Sequence, residues 1–402
     1  MWRALLLLAF CVAGPPAAWA QTLPTGPVSA FDGRVAVGAE VAATVGAEDH
    51  LAYFNYTDYE HNTLRMFRVA LSASWQPVSR VVLIGEIRTE DLESVRPYAA
   101  YVRVRPWTRL RLDVQAGQIP PSFGAYGRRG YQGADSGLIG YPLAYQYLTA
   151  IRPDAAPATV ADLLLMRARG WRTTYPLGSV DAGPGVPLIS AFRWDTGVQL
   201  HWEAETVDVT AGVTTGTLAD PQGSDNNDGK QVSGRIAVRP TTGLVLGASG
   251  ARGAFLSRGV TRLLPDPDAP HDQSALGADG EYSRGHWLVR GEVVWSRWNM
   301  PFVGGPGRIA NLDALGAWIE GRYRLTPRIT VSGRADRLGF SRLAAVPGLS
   351  PTWDANVSRF ELSGGYALQR NLVLRLAVQG NHRDGGRVRT QTFVAGQLAY
   401  WF

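Results

Sequence analysis

Arginine and carboxylate side chains recur two residues apart along this chain, and their chemistry depends on which way they face. Arg103 and Arg105 stand in "YVRVR", Arg111 and Asp113 in "RLRLDV", and Arg193 and Asp195 in "FRWD". Arg290 and Glu292 follow in "VRGEV", and Arg334 and Asp336 in "GRAD". Arg235, Arg239, Glu320, Arg322, Glu361 and Arg375 hold comparable places elsewhere. Such rows can line a water-filled space, where rings of arginine favour anions. They can equally pair across neighbouring strands as a lattice that holds a wall, with Arg111–Asp113, Arg290–Glu292 and Arg334–Asp336 repeating the pairing on single strands.

Enzymatic chemistry has weak support. Six histidines are scattered at His50, His61, His201, His271, His286 and His382, without HExxH or GxSxG. Ser190 and His201 lie on opposite parities of one strand, which spoils a hydrolase site built from them with Asp195. "SDNNDG" departs from the EF-hand spacing and reads as a solvated loop. No catalytic residue, metal or cofactor is assigned.

The charged rows are one half of a period-two pattern. In "RMFRVALSASW" Phe67, Val69, Leu71, Ala73 and Trp75 face one way and Arg68, Ser72 and Ser74 the other. Sixteen such runs can be traced. They begin with "RVAVGAEVAATV", "RMFRVALSASW", "RVVLIGEIRTE", "PYAAYVRVR" and "RLRLDVQAG", and resume at "FRWDTGVQLHW", "VDVTAGV", "VSGRIAVR", "LVLGASGA" and "LGADGEYS". They end with "WLVRGEVVW", "LGAWIEGRYRL", "ITVSGRADRL", "FELSGGYAL", "LVLRLAVQGN" and "QTFVAGQLAYWF". The links after every even-numbered run are tight, for example "QPVS", "TP" and "QRN", whereas the others are mostly long and rich in Gly, Pro and Asp.

An exposed final strand ending at Phe402 would be a sticky edge, unless it pairs with the first strand. Closure is also what lipid demands, because unpaired backbone groups find no water there. The expected fold is therefore all-β: a transmembrane antiparallel up-and-down barrel of 16 strands. Eighteen strands is the alternative, with "MRARGWRTTY" supplying another hairpin. The charged rows must then face the lumen or a rim, since arginine on the lipid face at mid-membrane costs about 2–4 kcal/mol. Trp75, Trp202, Trp287, Trp295, Tyr323 and Tyr366 fall near strand ends, where interfacial aromatics belong.

Composition agrees. "MWR", an apolar "ALLLLAFCVA" and "AWA" before Gln21 read as a cleaved signal peptide over 1–20. Residues 21–402 then form a single domain. Cys11 is the only cysteine and leaves with that leader, so disulfides and thiolate chemistry are excluded. Loss of Arg3 takes the basic residues from 40 to 39 against 34 acidic ones, a net charge of +5. Nearly all of it is arginine, Lys230 being the one lysine. No basic cluster interleaved with aromatics points to nucleic acid.

With the leader, the alternation and the terminal "QLAYWF" in view, the chain resembles Gram-negative outer-membrane porins. "AGQIPPSFG" is similar to a short stretch of the phosphate-selective porins O and P, although the lysine clusters of those channels are missing. The resemblance implies passive diffusion of small hydrophilic solutes in the outer membrane, with lipid and lipopolysaccharide around the barrel. It also implies barrel-assembly machinery that reads the last strand to Phe402, and a homotrimer.

One connection is out of scale. Residues 119–189, the third outer loop, far exceed the length of about 15 beyond which loops are usually functional or disordered, and are too rich in Tyr, Leu and Ile for disorder. "ATVADLLLMRAR" reads as a short helix capped by Thr159. Folded into the lumen, this loop would narrow it, with Tyr126, Arg128, Arg129, Tyr131, Tyr145, Tyr147 and Arg152 at the constriction. Packed outside, it would be an extracellular cap or a subunit contact; a loop that instead seals the lumen would make the barrel a structural anchor or adhesin. Arg103 and Arg105 would line the inner mouth.

Overall fold

Alternation of apolar and polar side chains makes sixteen strands, and each hydrogen-bonds to its neighbour in sequence until the last returns to the first. The computed structural model describes residues 23–49, 53–57, 61–107, 109–127, 137–227, 229–304, 309–343 and 350–402. The expected leader, 1–20, lies outside the described residues. The barrel strands are β1 (Val35–Gly46), β2 (Phe67–Val78), β3 (Val81–Glu90), β4 (Ser94–Val104) and β5 (Leu112–Ile119). After the long connection come β6 (Asp195–Glu203), β7 (Val207–Thr214), β8 (Gln231–Thr241), β9 (Leu244–Ala254) and β10 (Asp272–Arg284). The circuit is completed by β11 (Trp287–Pro301), β12 (Ile309–Arg324), β13 (Ile329–Phe340), β14 (Val357–Gln369), β15 (Leu372–Arg383) and β16 (Thr390–Trp401).

β16 pairs antiparallel with β1 from Ala395↔Gly46 to Trp401↔Glu40. Phe402 completes the seam: its N–H donates to Ala39 at 3.0 Å and its carbonyl accepts from Ala39 at 3.1 Å. The terminal strand therefore leaves no edge, which is the condition for a sheet to sit in lipid. β5 and β6 pair directly, Leu112↔Trp202 to Ile119↔Asp195. That leaves no gap for an extra hairpin, so the eighteen-strand alternative is corrected. "MRARGWRTTY" instead follows a helix, and Thr173 bridges to Gly183. The helix (Val160–Leu165) carries the expected cap: Thr159 Oγ1 accepts from Asp162 N, and Asp162 Oδ2 accepts from Thr159 N at 2.8 Å.

The outer surface is apolar across the strand middles, with Leu276, Leu315, Ile319, Phe360, Leu362, Leu376, Val394 and Leu398 exposed. Trp287 and Tyr323 pack with tilted rings, centroids 4.5 Å apart, at the inner ends. Among the described residues no helix is long and apolar enough to cross a membrane; the strands do so.

The interior has two storeys. Along β11 the inward row changes from Arg290 and Glu292 to Val294, Trp298 and Met300, all buried. On the outward face, meanwhile, Arg297 pairs with Asp313 at 2.7 Å. β12 to β14 repeat the change with Leu312, Leu338, Phe340 and Val357. Strand ends that rise above lipid reverse the simple rule, because water is outside and packed protein inside.

Polar pairs line the interior wall. Glu40–Arg68, Arg105–Asp113, Gln115–Gln199, Gln231–Thr214, Arg290–Glu320, Arg334–Glu361, Arg375–Gln397 and Gln397–Thr44 join neighbouring strands at 2.6–3.1 Å. Arg235 on β8 reaches over β9 to Asp279 on β10, its Nε 3.0 Å from Oδ2. Gly247 lies beneath that bridge, where a Cβ would collide with both groups. Gly247→Val is expected to break the pair and cost about 1–3 kcal/mol, read as a lower midpoint in thermal unfolding of the detergent-folded barrel.

Candidate functional site

The candidate site is the lumen, and the segment between β5 and β6 crosses it. Near its start Ser122 Oγ meets Ser233 Oγ of β8 at 2.5 Å, and Gly124 N donates to Ser249 Oγ of β9 at 3.0 Å. Gly124 has φ +68, and a side chain there would strike Glu292 and Tyr145. Further along, Ile139 N and Gly140 N both donate to Glu361 Oε1 of β14 at 2.9 Å. Leu143 N, at the start of a single helical turn (Leu143–Gln146), donates to Asp336 Oδ1 of β13 at 3.2 Å. Tyr145 Oη donates to Glu292 Oε2 of β11 at 2.6 Å, and Tyr141 Oη accepts from Arg68 of β2 at 2.7 Å. These anchors lie on opposite arcs of the wall, so the segment spans the barrel.

Backbone N–H groups and phenols of this segment meet carboxylates that the wall lattice already holds. Glu361 Oε2 accepts from Arg334 at 3.1 Å while its other oxygen serves the segment. Arg359 completes the join: Nη1 donates to the Tyr141 carbonyl at 2.9 Å and to Gln146 Oε1 at 3.0 Å, and Nη2 to the Phe54 carbonyl at 2.6 Å. Tyr126 packs at a tilt against Tyr145, ring centroids 4.9 Å apart, and edge-to-face against Trp318 at 5.6 Å. Tyr145→Phe leaves the buried Glu292 carboxylate one donor short, at a cost of about 1–3 kcal/mol. Faster amide exchange over 143–147 is the expected reading.

Outer loops hold the segment from above. Asp354, between β13 and β14, accepts from Ala150 N at 2.7 Å, Ala168 N at 2.9 Å and Ala355 N at 2.7 Å. Burial pushes its carboxyl up to about 6, outweighing the three N–H donors and the Arg383 charge that lower it. Asp49, between β1 and β2, accepts from Asn55 N at 2.7 Å, and burial pushes it up to about 7 against that hydrogen bond and Arg359.

The sequence-expected residues divide by what they touch. Tyr126, Tyr145 and Tyr147 are buried at the crossing. Arg128, Arg129 and Tyr131 lie outside the described residues. Arg152, expected at the constriction, is instead an internal strut: it donates to the Thr173 and Asp181 carbonyls and to Asp154 at 2.6–2.9 Å. Arg193 is half-buried at the outer end of β6, 3.9 Å from Asp220. At the inner mouth Arg111 is exposed, Arg103 and Arg322 are half-buried, and Arg105 forks onto Asp113 at 2.7 and 2.9 Å.

Two expected same-strand pairs are corrected. Asp113 takes Arg105 rather than Arg111, and Arg290 takes Glu320 at 2.9 Å rather than Glu292. Groups directly opposite across a ladder are closer than groups two apart on one strand, and register places Arg290 opposite Glu320. Arg334 does meet Asp336 at 2.9 Å, but it meets Glu361 as well. The imagined hydrolase set is dispersed: Asp195 accepts from Gly216 N, Gln222 N and Thr215, while His201 faces Thr210 at 3.0 Å.

Arg359, Asp354 and Asp49 escaped sequence reading. Arg359 carries a signal, since it shares the inward row of Glu361, but the alternation visible in sequence starts at Phe360 while β14 begins at Val357.

A closed sixteen-strand barrel with an apolar belt and a lumen-crossing segment is an outer-membrane β-barrel of the porin fold, a class that resides in the outer membrane of Gram-negative bacteria. Among solved structures the chain is similar to the anion-selective porin from Comamonas acidovorans, with a TM-score of 0.56 at 11% identity over 92% of this chain and 99% of that one. It is also similar to the outer membrane channel DcaP of Acinetobacter baumannii, with a TM-score of 0.55 at 9% identity over 94% and 100%. The trimer form of in-vitro folded OmpT from Vibrio cholerae gives 0.54 at 12% identity over 92% and 99%. No protein-family model matches the chain, and no curated protein matches it in sequence.

Proposed function

We propose that this protein is a passive diffusion channel for small hydrophilic solutes, leaning towards anions, whose cutoff is set by segment 119–189. One observation carries the reading: a segment from a single connection crosses the barrel and is fastened to lumen-facing side chains of β2, β8, β9, β11, β13 and β14. A barrel of this size is otherwise wide enough for water, so such a segment narrows it at a defined level. Ser72, Ser74, Glu86 and Arg103 on β2 to β4 remain partly exposed, and the solute path runs along them. Arginines at the inner mouth, Arg103 and Arg105 among them, supply the anion preference.

The concentration gradient drives transport, without cofactor or catalysis. In this reading residues 1–20 are cleaved and 21–402 form one domain embedded among lipid and lipopolysaccharide. Assembly machinery recognises the last strand, and three copies associate, an arrangement that the trimer form of the Vibrio protein supports. Nucleic acid is not a partner.

Planar-bilayer recording tests both parts. Steady conductance with a reversal potential on the anion side is the expected result, and cation preference would remove the anion leaning. A folded protein that never conducts would favour the second reading, a sealed barrel serving as anchor or adhesin. Burial of Arg334, Asp336 and Glu361 under the segment supports that alternative.

A further inference from the structure

A cavity of about 680 Å3 lies at the inner mouth beside the β12–β13 and β14–β15 turns, within the size range of small-molecule sites. Arg322, Arg324, Arg328, Arg370 and Arg375 line it together with Trp401, and among the described residues its lining includes no Asp or Glu. Gly137 of the lumen-crossing segment also reaches it.

Several interior arginines elsewhere in the barrel face carboxylates: Arg68 faces Glu40, Arg235 faces Asp279, and Arg290 faces Glu320. This wall is built differently. Arg324, Arg328 and Arg370 are exposed and enter no ion pair among the described residues. A guanidinium keeps its charge at any physiological pH, so these three arginines present positive charge to the cavity throughout that range. Its planar fork matches two oxygens of a carboxylate or phosphate. Leu368, Val373 and Trp401 add an apolar face, which inorganic ions cannot use.

We propose that this vestibule is a binding site for a small organic polyanion, one whose carboxylate or phosphate groups meet the arginines while its carbon body lies against Trp401. The site would hold such solutes at the periplasmic end of the path. The proposal deepens the anion-leaning reading and rests on it for any role in transport. Binding itself requires no conduction.

The test is calorimetric titration of the full detergent-folded chain with three probes: citrate, fructose 1,6-bisphosphate and pyrophosphate. Citrate and the bisphosphate separate carboxylate from phosphoryl recognition, and pyrophosphate lacks the carbon body. At least one organic probe should bind, weakening by about tenfold or more between low and ~0.5 M salt. Combined Arg324→Gln, Arg328→Gln and Arg370→Gln should weaken it by about tenfold or more, with circular dichroism confirming the fold. Arg80→Gln, on the β2–β3 turn, should leave binding unchanged.

No binding of any probe, or equal binding by the triple variant, overturns the site. Pyrophosphate binding as tight as both organic probes overturns the role of the apolar face. A chain that conducts anions but binds no probe loses the site and keeps the channel. One that binds but never conducts loses the channel and keeps the site.

Discussion

Replacing Glu361 with alanine is expected to free the lumen-crossing segment and raise single-channel conductance several-fold. Its two oxygens serve two structures. Oε1 accepts from Ile139 N and Gly140 N at 2.9 Å, and Oε2 accepts from Arg334 at 3.1 Å and Gln379 at 3.2 Å. The group is fully buried, so nothing replaces those bonds without movement. Leaving two N–H donors and part of a guanidinium charge unmet costs about 3–5 kcal/mol. At about 1.4 kcal/mol per factor of ten, the docked arrangement becomes at least about a hundredfold less favoured. The barrel should survive, because β13 and β14 keep their ladder and Arg334 keeps Asp336 and Glu320. Hydrogen exchange at Ile139 and Gly140 supplies a second reading. Faster exchange with unchanged conductance would mean that solutes do not pass beneath this part of the segment.

Acid should tighten the outer clamp. Asp354 and Asp49 have carboxyls raised from 3.8 to about 6 and about 7, burial being the largest cause in each. A carboxyl raised on folding takes up protons as the protein folds. Its contribution to stability is therefore full below about pH 4 and disappears as the pH rises through the raised value. For Asp354 that is about 3 kcal/mol and for Asp49 about 4 kcal/mol, at 1.36 kcal/mol per tenfold change. Between about pH 8 and pH 5, amides of Ala150, Ala168 and Asn55 should gain protection beyond the intrinsic slowing of exchange, and open time should fall. Asp354→Asn, which cannot titrate, should remove the pH dependence at Ala150 and Ala168 and spare that at Asn55. Exchange that follows intrinsic chemistry alone in the wild-type protein would rule the clamp out as a pH-sensitive element.

Both expectations concern contacts that no local pattern announces. Gly140 and Glu361 are 221 residues apart, and Phe54 and Arg359 are 305 apart. Wall orientation, by contrast, was readable wherever lipid imposes its rule. Leu315, Ile319, Phe360 and Leu362 face out and Glu320, Arg334 and Glu361 face in, as period two requires. The rule lapses at the outer strand ends, where Trp298 and Met300 point inward, and there the strands extend past the alternating runs, β11 to Pro301 rather than Trp295.

Residue order alone therefore dictated the sixteen alternating runs, which row meets oil, and the join of β16 to β1, because a β-strand reports its environment at every second position; the direct pairing of β5 with β6 was needed to exclude two further strands. The Thr159–Asp162 cap was equally local. The filling of the cylinder was settled by folding: carboxylates placed by register on β11, β13 and β14 select backbone donors from one long segment, and Asp354 and Asp49 arrive from distant loops to hold it. Such pairings depend on three-dimensional proximity after closure, a quantity that neighbours in the chain do not encode.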